Sequence, residues 1–161
     1  MKTATVRELK NELQYRSQTE LVELCLRLSK FKKENKELLT YLLFEQSDED
    51  AFILGVKREI ASDFELINRN SYFYIKKSVR KILRNTKKYI RYSKKKETEV
   101  ELLLYFCQEL RDMRPSYKKN VSLVNIFDRQ ILSIEKAIAT LHEDLQYDYC
   151  LLYTSDAADD M

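Results

Sequence analysis

Apolar residues recur along most of this chain at steps of three and four, the spacing that lines one side of an α-helix. Val6, Leu9 and Leu13 mark a short helix from residue 3 to about 13. Leu21, Leu24, Leu28 and Phe31 mark a second. Ser17 and Glu20 precede it at capping-box spacing, where the hydroxyl accepts from the third amide and the glutamate reaches back. Residues 32–36 read either as a short turn or as the wet side of a continuing helix, and Leu38, Leu39, Leu42 and Leu43 carry the next stripe.

Asp48, Glu49 and Asp50 suit the positive end of a helix dipole. Ile53, Val56, Ile60, Phe64 and Ile67 then predict a helix to about residue 68. Gly55 inside it costs up to ~1 kcal/mol relative to alanine, which the close approach of another helix would explain. Residues 69–71 read as a turn, and 72 to about 93 as a long helix. The next, from 97 to 113, is apolar on nearly all sides, as a central helix is. Pro115 ends it. Asn120 fits as the cap of a last helix with a bundle seam at Phe127, Ile131, Ile134, Ile138, Leu141 and Leu145.

Composition sharpens this picture. One glycine and one proline in 161 residues leave little material for the turns of a sheet protein. The expectation is an all-α fold: six or seven amphipathic helices in stacked helical hairpins, as a bundle or a short α-α superhelix. A single domain is expected over residues 1–149. Residues 150–160 match, in one frame, the translation of a transposase-type sequencing adapter, so 150–161 are expected to be a non-native tail. Without its three aspartates the acids fall from 26 to 23, and the formal charge rises from +3 to +6.

Chemistry-bearing patterns are sparse. Cys25, Cys107 and Cys150 are odd in number and widely spaced, which fits neither a disulfide framework nor a zinc site. His142 is the one histidine and lacks a Glu-x-x-His or His-Glu-x-x-His setting, so an exposed helix position is expected. A single glycine cannot build a phosphate-cradling loop. Asp48, Glu49 and Asp50 lack the alternate spacing of a calcium loop. These readings point to a protein that is not an enzyme, with no catalytic residue, no metal and no cofactor. No apolar run reaches the roughly 20 residues of a membrane span, and no signal-peptide pattern is present, so the cytoplasm is the expected location.

One pattern stands out. Between Lys76 and Lys96 there are eleven Lys or Arg and no acid. At about 100° per residue, Lys76, Lys77, Arg80, Lys81, Arg84, Lys87, Lys88, Arg91, Lys94 and Lys95 fall within an arc of about 140°. Ile75, Val79, Ile82, Leu83, Thr86, Tyr89 and Ile90 fall opposite. Like charges four apart repel by a few tenths of a kcal/mol each, and something should offset that. Glu97, Glu99, Glu101, Glu109 and Asp112 could fold alongside and neutralise the face. A polyanion could cover it, with Tyr74, Asn85 and Tyr92 at its edge. An acidic protein or an anionic membrane surface is the third possibility.

Between Thr19 and Asp112 the chain carries Glu20-Leu-Val-Glu-Leu24, Lys57-Arg-Glu-Ile60, and the basic helix followed by Glu99-Val-Glu-Leu-Leu-Leu-Tyr-Phe106. In these it resembles a family of small all-helical bacterial proteins with no assigned activity. The resemblance implies a bacterial cytosolic helical domain and supplies no site residues. The functional expectation is therefore a non-catalytic interaction or scaffold module, working on a protein partner or as a homo-oligomer. The alternative is sequence-independent nucleic-acid binding through the basic face.

Overall fold

A computed structural model describes residues 1–141, 143 and 145–149. The adapter-like segment and His142 lie outside the described residues. Seven α-helices run between residues 6 and 138, with one π turn and one 3-10 turn; residues 143 and 145–149 are helical as well, and no strand is present among the described residues. The all-α expectation holds. The chain divides into two compact units at Phe44 and Glu45.

The first unit holds α1 (Val6–Gln14), α2 (Gln18–Phe31) and α3 (Lys33–Thr40). Both of its first two helices begin with a full capping box, Thr5 with Glu8 and Ser17 with Glu20. The Ser17 amide and hydroxyl, aided by Arg16, hold the Glu20 carboxyl below the usual carboxylate range. Residues 32–36 resolve as a turn and a restart. Lys32 is extended, and Asn35 Nδ2 donates to the Leu28 carbonyl at 2.8 Å, tying α3 back to the end of α2. Three short helices bury little here: in the first 44 residues only Ser29 and Tyr41 are fully inside.

The second unit holds α4 (Glu49–Glu65), α5 (Tyr72–Ser93), α6 (Lys96–Asp112) and α7 (Val121–Ile138). Asp48 caps α4 by accepting from the Ala51 amide at 3.1 Å. Asn120 caps α7 by accepting from Leu123 at 3.2 Å. As its all-round apolarity predicts, α6 is the central helix: α4, α5 and α7 all pack on it. Val100, Leu102, Leu103, Phe106 and Leu110 are sealed from solvent. The stripe Ile53, Val56, Ile60, Phe64 and Ile67 is buried as its period requires. Phe64 and Phe106 meet at 5.7 Å between ring centres.

Polar ties fix the turns between these helices. Arg69 donates to the Phe64 carbonyl at 3.2 Å and to the Arg114 carbonyl at 2.9 Å, and the Tyr72 hydroxyl donates to Ser116 at 2.9 Å. The end of α4 and the start of α5 are thereby pinned to the loop after α6. At the other end, the half-buried Glu49 carboxylate accepts from Ser93 at 2.5 Å and Thr98 at 2.7 Å, and pairs with Lys95 at 3.5 Å.

Two expectations need correction. Apart from the backbone of α4 itself and the residues flanking Gly55, nothing lies within 4 Å of where its side-chain carbon would sit, so close helix packing does not explain this glycine. The buried side of α7 is also rotated from the predicted seam. Leu123, Ile126, Gln130, Ile134, Ala137 and Ile138 are inside, whereas Phe127 and Ile131 are half-buried, and the helix ends at Ile138. A three-four alternation is shared by neighbouring stripes on one helix, and only the packed partner selects between them.

Candidate nucleic-acid interface

The basic segment forms one helix because its apolar positions recur with the helical period and no breaker interrupts it for 22 residues. Ile75, Val79, Ile82 and Thr86 are buried, with the Thr86 hydroxyl donating to the Ile82 carbonyl at 2.8 Å. That burial decides which way the cations face. Lys77, Arg80, Lys81, Arg84, Lys87 and Arg91 are all exposed, and none has a carboxylate within ion-pair distance among the described residues. Six positive charges thus share one solvent-facing strip.

The four remaining predicted cations behave differently. Lys76 and Lys88 are half-buried at the two margins, and the Lys88 ammonium lies 4.9 Å from the Tyr89 ring centre. The helix stops at Ser93, with Lys94 in the left-handed region at φ 60°. Lys94 and Lys95 therefore leave the helical face on which a continued wheel places them. Both are exposed, and Lys95 is engaged by Glu49.

Three acids of the stretch after the basic helix pair outside the six-cation strip. Glu99 pairs with Lys96 at 3.0 Å, Glu101 with Lys57 at 3.4 Å, and Asp112 with Arg111 at 3.2 Å. Glu101 also accepts from the Tyr149 hydroxyl at 3.3 Å. Burial, then Glu101, pushes that phenol up to about 12.

The structure adds a residue that sequence reading passed over. Phe73 sits in the first turn of α5, at the same angular position as Arg91 by helical period, and is 67% exposed. Its ring meets Tyr74 edge-on at 5.4 Å between centres, and Tyr74 is 46% exposed. An aromatic pair thus heads the cationic strip. An apolar residue within the basic arc was the available signal. Asn85 and Tyr92, predicted at the edge, are half-buried.

Among the described residues no cluster of three or more potential metal ligands is present, and Cys107 is buried. No helix among them is long and apolar enough to cross a membrane. No family model matches the chain, and no curated protein or solved structure is similar to it. The expected resemblance to a bacterial helical family thus finds no support in these comparisons.

Proposed function

We propose that this chain is a non-catalytic interaction module that binds nucleic acid, independently of sequence, on the solvent side of α5. The observation that carries the reading is the strip of six exposed cations without a carboxylate partner among the described residues. A phosphate backbone offers what such a strip lacks, and cations that meet phosphates release bound counterions. Phe73 and Tyr74 at the head of the strip present ring faces to unstacked bases, which favours single strands over duplex. The cytoplasm suits both the ligand and the absence of a disulfide framework.

A scaffold that joins protein partners is the second reading. It is favoured by the apolar side chains that the first unit exposes.

Fluorescence anisotropy tests the first reading. The full chain is titrated into labelled single-stranded RNA and duplex DNA, at low and near-physiological salt, beside Lys77→Glu/Lys81→Glu/Arg84→Glu. Binding is expected to weaken steeply with salt, by about 0.7 in the log–log slope for each single-strand phosphate contacted. The triple variant is expected to lose it. Failure to bind at low salt, or binding indifferent to the triple variant, would overturn the reading and turn attention to protein partners.

A further inference from the structure

We infer that the first unit is a self-association element, in which α2 pairs antiparallel with α2 of a second copy. The inference is independent of the nucleic-acid reading, since it rests on the other unit.

The apolar stripe of α2 is not inside. Leu24 is 42% exposed, Leu28 62% and Phe31 78%. On α1, Leu9 and Leu13 are 51% and 42% exposed and line a groove with Leu24, of about 550 Å³. Thirteen large apolar residues between Val6 and Phe44 are more than a third exposed. By helical period Leu24, Leu28 and Phe31 share one side of α2, whereas Val22 and Leu26 fall on the other, so the pairing face takes the first three.

The charges beside the stripe select the occupant. Glu20, Glu23, Arg27 and Lys30 fall within an arc of about 80° on α2, next to Leu24, Leu28 and Phe31. The two acids occupy the first half of the helix and the two bases the second. This order suits the helix dipole. It also makes the helix its own complement. A two-fold axis across the middle of α2 reverses the second copy, so that each copy's acids lie beside the other's bases. Parallel pairing would set acids against acids. Glu23, Arg27 and Lys30 have no ion pair within the chain among the described residues, so they are available to a neighbour. A two-fold contact of this kind is isologous: what one copy offers, the other accepts.

The test is the mass of the full chain by sedimentation equilibrium over a wide concentration range, in reductant. A dimer is expected. Leu28→Glu should weaken it at least tenfold, as should Arg27→Glu/Lys30→Glu, which leaves four acids on the strip. Glu23→Lys, which spares the capping glutamate Glu20, should also weaken it. Mixing the Glu23→Lys and Arg27→Glu/Lys30→Glu proteins should restore a dimer tighter than either forms alone, which a misfolded variant could not restore. A monomer at every concentration would overturn the inference. So would a dimer indifferent to Leu28→Glu, or a mixture that fails to recover.

Discussion

At the scale of single residues, chemistry and backbone geometry meet at a few positions. Gly55 lies in the middle of α4, where glycine is the poorest choice short of proline, and its missing side chain leaves open space. Gly55→Ala is therefore expected to stabilise the fold by up to ~1 kcal/mol, seen as a rise in melting temperature by circular dichroism. A fall would mean that a neighbour outside this chain approaches α4 there. Lys94 shows the opposite tension. It takes the left-handed conformation that glycine adopts most easily, while its amide donates to the Ile90 carbonyl at 2.9 Å and closes α5. Glu49 was legible only as a first-turn acid. Its bonds to Ser93 and Thr98 span 44 and 49 residues, a distance no local pattern reports.

At the scale of elements, α5 divides its work between two sides. One side is a core surface made of Ile75, Val79 and Ile82, and the other is a row of cations at i,i+4 spacing, such as Lys77 with Lys81 and Arg80 with Arg84. Repulsion along that row slightly disfavours the helix. A cation retained only for folding would be missed when removed. Lys81→Glu is expected instead to raise stability by about 0.5 kcal/mol at low salt, because it turns the repulsion from Lys77 into attraction. Thermal melts of the two proteins in low-salt buffer measure this, and a clear loss would assign Lys81 a structural partner. Taken with loss of RNA binding in the triple variant, a gain in stability would separate the surface's role from the fold's.

At the scale of the whole molecule, the two units differ in how much they bury. The second gathers nearly all the sealed apolar side chains around α6, while the first holds Tyr41 and little else. Ordering each residue costs about 1–2 kcal/mol of backbone entropy, which only burial on a matching scale offsets. Residues 45–149 produced alone should therefore keep their helical signal and melt cooperatively. Residues 1–44 alone should be largely unfolded when dilute. Circular dichroism of the two fragments checks both. A dilute first unit that is fully helical would show that its capping boxes and local pairs suffice.

The all-helical class, the helix starts at Ser17, Asp48 and Asn120, and the central place of α6 were legible in the chain, because caps and hydrophobic period act within a few residues. The cationic face was legible for the same reason: a helix turns charge spacing into a surface. Other features depended on which surfaces meet. The buried side of α7, the open space at Gly55, the partners of the acids after α5 and the exposure of Phe73 all require knowing what lies across from a residue. Local periodicity says that a stripe will seek cover, and packing between distant segments decides which stripe obtains it. For α2 that cover is the second copy we infer.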